Sequence, residues 1–128
     1  KAGRFEEMMR AILKPDHLAP GPQRLQIMNV VAEMGRSRGP GVFIRQCRAL
    51  QRRKDQQATL RRIKAPALVL CGEHDGLTPV RRHTFMAELI PYAKLEIIEG
   101  AGHLPTLEQP EVVTDVLRAW MKQPFVLK

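Results

Sequence analysis

Five consecutive apolar residues, Ala67-Leu68-Val69-Leu70-Cys71, bounded by Pro66 and Gly72, constrain this chain more than any other stretch of it. A run that is short, unbroken and not alternating reads as a strand covered on both faces, the setting of parallel sheets flanked by helices. A second strand, Leu95-Glu96-Ile97-Ile98, ends at Gly100. Between the two, Thr78 and Pro79 supply an N-cap and a first-turn proline for a helix that reaches about Ile90 and stops at Pro91. After the second strand, Val112, Val113, Val116, Leu117, Trp120 and Met121 stripe a last helix, opened by Pro110 and ended near Pro124. Strand, helix, strand, helix at this spacing forms a right-handed parallel unit. Two strands alone leave both outer edges of a sheet bare. The chain is therefore expected to be the C-terminal part of a larger domain whose preceding strands lie upstream. The rarer alternative is self-association through the exposed sheet edge.

The first half has a different period. Phe5, Met8, Met9, Ile12 and Leu13 fall on one helical stripe. Pro15, Pro20, Gly21 and Pro22 then open a loop. A second helix is expected from about Gln23 to Met34, with Leu25, Ile27, Met28, Val31, Ala32 and Met34 as its apolar positions, and a turn from Gly35 to Gly41. A third helix, about Val42 to Lys54, is expected to bury Phe43, Cys47 and Leu50 and to expose Arg45, Arg48 and Arg52.

Charge follows the same division. The chain carries a net +8, but residues 1–64 hold 15 Lys and Arg against 5 Asp and Glu, whereas residues 65–128 hold 6 against 8. So basic a half raises a competing class of function, a non-catalytic helical module that binds nucleic acid or an acidic partner. Phe5 and Phe43 are its only aromatic residues, and it carries no nucleic-acid-binding motif. Basic residues on the wet faces of amphipathic helices account for the pattern, so no nucleic-acid partner is expected; salt-sensitive retention on DNA or RNA separates the two readings. No run of about 18 uncharged apolar residues is present, so no membrane span is expected. Cys47 and Cys71 are too few, and too apolar in setting, for a disulfide scaffold, and point to a reducing, cytoplasmic compartment.

Chemistry-bearing residues concentrate in two loops after the strands, Gly72-Glu73-His74-Asp75-Gly76-Leu77-Thr78-Pro79 and Gly100-Ala101-Gly102-His103-Leu104-Pro105. In open α/β sheets, ligands and catalytic groups collect at the carboxyl ends of strands. An acid after one strand and a histidine after the next can meet there, the carboxylate holding the imidazole in one tautomer and stabilising the imidazolium. The glycines around His103 allow tight turns with unusual backbone angles. Taken singly, Asp75 reads as a turn aspartate and His103 as a loop histidine; their placement after consecutive strands favours a joint role. His74, His83 and His103 lack metal-ligand spacing, so no metal site is expected, and His74 reads as a solvent-edge neighbour of the acid loop. Glu108 is expected near the last helix N-terminus, complementing its dipole, rather than beside His103.

These pieces together resemble the C-terminal part of α/β-hydrolase-fold enzymes, over Leu60 to Trp120. The apolar strand is followed by G-x-x-D-x-x-x-P (Gly72 to Pro79), then Ile90-Pro91 before the last strand, then G-x-G-H, then Glu108 and Pro110 leading the final helix. The spacing of 28 residues from Asp75 to His103 is also similar to that family. Each motif is weak alone; their order over some 60 residues is specific. The preceding helical segment, with Phe43-Ile44-Arg45-Gln46 and Arg53-Lys54-Asp55, looks like the cap inserted before the acid-bearing strand. The resemblance is greatest to small esterase and lactonase-like members. It implies an α/β fold in two parts: a helical cap segment over 1–60, and over 61–128 the C-terminal part of the core, two parallel strands with flanking helices. It further implies that Asp75 is the triad acid and His103 the triad base, that no cofactor is needed, and that the substrate is a small apolar ester or lactone. Met28, Met34 and Phe43 would then line the cap face over that substrate, the alternative for each being packing within the cap.

The nucleophile is expected upstream of this chain. Ser37, the chain's one serine, lies in a literal G-x-S-x-G and in the order Ser, Asp, His. A nucleophile elbow, however, needs a buried strand before it and a helix at once after it. Ser37 instead follows a helical pattern with Asn29 and Glu33 and precedes Pro40-Gly41, and is expected in a loop between two cap helices. An upstream serine implies acyl hydrolysis, whereas an aspartate in that place implies dehalogenation or epoxide opening.

Overall fold

The computed structural model describes residues 2–123, so the expected stop at Pro124 lies outside the described residues. The elements in chain order are α1 (Ala2–Ile12), a 3-10 turn (Pro15–His17), α2 (Gln23–Arg52), α3 (Gln57–Arg61), β1 (Ala67–Gly72), α4 (Val80–Leu89), β2 (Ala93–Ile98), α5 (Pro105–Glu108) and α6 (Pro110–Lys122). They group into two compact units. One comprises Lys1–Pro15 and Gly21–Asp55; the other comprises Asp16–Pro20 and Gln56–Lys128.

The first unit is α1 packed on α2. Phe5 and Phe43 meet edge to face with ring centroids 5.5 Å apart. Glu6 of α1 pairs with Arg36 of α2, which also reaches Glu33 at 3.2 Å. The separate helices expected over 23–34 and 42–54 form one 30-residue element, and the expected seven-residue turn shrinks to a kink at Gly39 (φ 84°, ψ 169°). That backbone is open to glycine but not to residues with a Cβ. Pro40, which lacks an N–H and disfavours a helical residue before it, starts the second arm. Gly35 through Arg38 had helix-compatible alternatives, and packing chose the helix. Ser37 therefore lies inside α2 rather than in a loop, its hydroxyl donating to the Met34 carbonyl at 2.8 Å. Leu50, expected to be buried, is 65% exposed. An amphipathic stripe predicts which face seeks cover; it does not say that this chain supplies the cover.

In the second unit β1 and β2 pair in parallel, in register from Ala67↔Ala93 to Gly72↔Ile98. Both strands are longer than the apolar runs that announced them. Helix α4 crosses between the strands and packs along both, and α6 packs on β2. Leu70, Ile98, Ala101, Val113 and Val116 form the cluster beneath α6. The strands differ in character: β1 has no charged residue, whereas β2 carries Lys94 and Glu96, paired at 3.2 Å. Leu68 and Leu70 are only half-buried, so the two-sided cover expected for β1 is incomplete among the described residues, and Ile97 of β2 is exposed. No helix of the described residues is long and apolar enough to cross a membrane.

This packing predicts a contrast within the 128-residue chain. Ile98→Ala should lower unfolding free energy by about 2–5 kcal/mol, through lost burial and the cavity left behind. Leu50→Ala should change it by no more than about 0.5 kcal/mol. Urea denaturation followed by circular dichroism measures both.

Candidate active site

Parallel pairing brings the loops after β1 and β2 to the same end of the sheet, where backbone bonds lace them together. Glu73 N–H donates to the Ile98 carbonyl at 3.1 Å and His74 N–H to the Ala101 carbonyl at 2.9 Å. Across this junction His103 Nδ1 lies 3.1 Å from both Asp75 carboxylate oxygens. A carboxylate only accepts, so Nδ1 carries the proton and Nε2 is left as the basic nitrogen. The Asp75 side chain is 4% exposed and the His103 side chain 28% exposed, so the acid is the more deeply buried of the two.

Asp75 is held by its own loop. Its Oδ1 accepts the N–H groups of Leu77 and Thr78, each at 2.9 Å, and its Oδ2 accepts the Thr78 hydroxyl at 2.9 Å. Burial pushes this carboxyl up; the Thr78 N–H, the His103 ring, the Thr78 hydroxyl and the Leu77 N–H together outweigh it and hold the carboxyl below its ordinary value. Thr78 was expected to cap the next helix. Its hydroxyl instead serves Asp75, and Pro79, without a side-chain cap bond, precedes α4. The signal for this was present, since aspartate accepts readily from backbone two and three residues on, closing a local turn.

The larger correction concerns Glu108. It belongs to α5, a short helix the sequence did not announce, and is 5% exposed. Its Oε2 accepts the N–H of Gly102 at 2.8 Å and of Leu104 at 3.0 Å, the two residues flanking His103. Its Oε1 accepts the N–H of Ala19 at 2.7 Å. The same segment, 16–20, takes the His103 N–H on the His17 carbonyl at 2.8 Å, with Leu18 fully buried. Sequence reasoning missed this strap, because nothing local links residues 89 positions apart. It also misjudged the glycines. Gly100 does take a positive φ of 71°, but Gly102 is there for space, as a Cβ on it would lie 2.5 Å from the His17 carbonyl oxygen.

Met28, Met34 and Phe43 line a cavity of about 460 Å³ within the α1–α2 unit, together with Met9, Leu13 and Val42. His74 pairs with Glu73 at 3.1 Å, and His83 Nδ1 donates to the Pro79 carbonyl at 3.2 Å. Among the described residues no three His, Cys, Asp or Glu side chains are grouped to hold a metal ion. Burial, and then the Asp75 carboxylate, push the Cys71 thiol up, so it stays protonated packing material.

Residues 4–116 match the alpha/beta hydrolase family. The chain is 40% identical to carboxylesterase YbfK of Bacillus subtilis over 55 residues, 42% of this chain and 19% of that protein. Its fold superposes on a thermophilic esterase from Thermogutta terrifontis with a TM-score of 0.79 at 28% identity, covering 94% of this chain and 43% of that one. Est816, an N-acyl homoserine lactone degrading enzyme, superposes with a TM-score of 0.67 at 26% identity, over 91% of this chain and 46% of its own. The chain spans less than half the length of the relatives it matches.

The Asp75 environment sets a pH dependence. A carboxyl held below its unfolded value adds stability that is present above that value, and that is lost as pH falls through the folded one. Thr78→Val should cost about 1–2 kcal/mol at pH 7, by deleting a hydroxyl donor to a charged acceptor. That cost should shrink as pH drops below about 4 and the carboxylate gains its proton. Urea titrations at a series of pH values measure it, and a cost constant with pH would contradict the account.

Proposed function

The chain belongs to the alpha/beta hydrolase family, and from that premise we propose that it is the cap and C-terminal core portion of an enzyme that hydrolyses small apolar carboxylic esters or lactones. Residues 1–60 form the cap segment and residues 61–128 the core portion in this reading. The observation that carries it is the contact of His103 Nδ1 with both Asp75 oxygens at 3.1 Å, which leaves Nε2 as the nitrogen able to act as a base. Support for an acyl substrate comes from the esterase and lactone-degrading relatives, and support for an apolar one from the cavity lined by Met28, Met34 and Phe43.

In the reaction, His103 Nε2 removes the proton of a serine hydroxyl as its oxygen bonds to the substrate carbonyl carbon. Asp75 stabilises the imidazolium so formed. The imidazolium then protonates the departing alkoxide as the carbonyl–oxygen bond breaks, leaving an acyl-enzyme. His103 next takes a proton from water as that water attacks the acyl carbon, and returns it to the serine oxygen when the acid departs.

The nucleophile and its oxyanion donors belong to a part of the enzyme outside these 128 residues. Ser37 is unsuited, because it sits within a helix with its hydroxyl bound to that helix's own backbone. The same missing part supplies strands along the uncharged edge of β1, while the Lys94 and Glu96 of β2 suit an outer strand.

Three measurements test the reading. In the full-length enzyme, His103→Ala and Asp75→Asn should each lower kcat by roughly 10⁴-fold while cooperative thermal unfolding is kept. Near-normal rates in either variant would sink the catalytic assignment. The 128-residue chain alone should show no His103-dependent turnover of a p-nitrophenyl ester.

A further inference from the structure

Three consecutive backbone amides carry His103, and each is fixed by something outside its own loop. The N–H groups of Gly102 and Leu104 both donate to Glu108 Oε2, and the N–H of His103 between them donates to the His17 carbonyl. The strap that supplies that carbonyl is itself anchored through Ala19 N–H to Glu108 Oε1. One buried carboxylate thus grips the histidine-bearing backbone directly through one oxygen and indirectly through the other. Its partners are all backbone N–H groups, so the cost of burying its charge is offset by charge-assisted hydrogen bonds. An apolar side chain could fill the same space, but it could not set the direction of three amides. The clamp acts on backbone whose side chain must reach two Asp75 oxygens at 3.1 Å each.

We propose that Glu108 is a positioning residue for His103, acting jointly with the strap Asp16–Pro20: it holds the imidazole against Asp75 without touching the substrate. This rests on the proposed hydrolase reading of the Asp75–His103 pair. Glutamine at 108 keeps the shape, but it has one acceptor oxygen for donors now shared between two, and turns an NH2 group toward an N–H. Gly102→Ala leaves the carboxylate in place and attacks the clamp from the other side. Its Cβ would lie 2.5 Å from the His17 carbonyl oxygen and 2.6 Å from Leu18 Cα, so loop and strap must part.

The test is made in the full-length enzyme with p-nitrophenyl acetate, with rates expressed per active site titrated by the acyl burst. Glu108→Gln should lower kcat by about 10- to 100-fold, as a displacement near 1 Å does, with KM changed by much less. Gly102→Ala should lower kcat likewise. KM should again change by much less, and because the Glu108 carboxylate is retained the loss cannot come from charge removal. A lower melting temperature with kcat per site unchanged in the folded variants would make Glu108 merely structural and overturn the proposal. If Glu108→Gln does not fold, Gly102→Ala decides by the same two readouts, kcat per site and KM. His103→Ala run alongside separates the two readings: if it keeps its activity, the hydrolase assignment of the pair fails. If it is inactive while the clamp variants turn over normally, positioning alone fails.

Discussion

Everything at the candidate site depends on the parallel register of β1 on β2. Because Gly72 pairs with Ile98, both strands finish at the same level and release their loops side by side. An antiparallel pair would have sent Asp75 and His103 to opposite ends of the sheet. The crossover through α4 is what parallel pairing requires, since two such strands cannot be joined by a tight turn. A short apolar strand thus has a chemical consequence: its direction decides which side chains can meet.

Given that register, two buried carboxylates divide the remaining work. Asp75 is bound by its own loop and by the ring it faces, and its charge is directed at an imidazole. Glu108 is bound by backbone only, from three places in the chain, and its charge is directed at the path of the backbone. Both satisfy the rule that a buried charge needs partners. They differ in their partners: Asp75 faces an imidazole, which can gain or lose a proton, whereas Glu108 faces backbone amides, which do not.

The helical unit is built on weaker terms. An exposed Glu6–Arg36 pair contributes little to stability, so α1 and α2 are held mainly by Phe5, Phe43 and the few side chains they cover. Leu25, Met34 and Leu50 stay exposed on α2, and the cavity beside Met28 and Phe43 stays open. Among the described residues nothing covers these faces. Contiguous apolar surface left open in this way marks a face that seeks a further contact.

Much of this was legible in the residues themselves. The strands, the crossover helix, the final helix and the pairing of Asp75 with His103 follow from local signals, namely period, proline and glycine punctuation, and loops placed after strands. The kink at Gly39 was legible as a break but not in its extent, because Gly35 to Arg38 tolerate helix and turn alike, and the partner helix decides. The grip of Glu108 on the His103 backbone and on the strap was not legible. A glutamate ahead of a proline reads as an ordinary helix-start residue, and no pattern along the chain links it to Ala19. Sequence by itself thus determined the kinds of element and the chemistry in their loops, since these are set by neighbours a few positions away. Only the tertiary structure decided which backbone is clamped, which glycine is needed for space and which stripes go uncovered, because those depend on groups brought together across the fold.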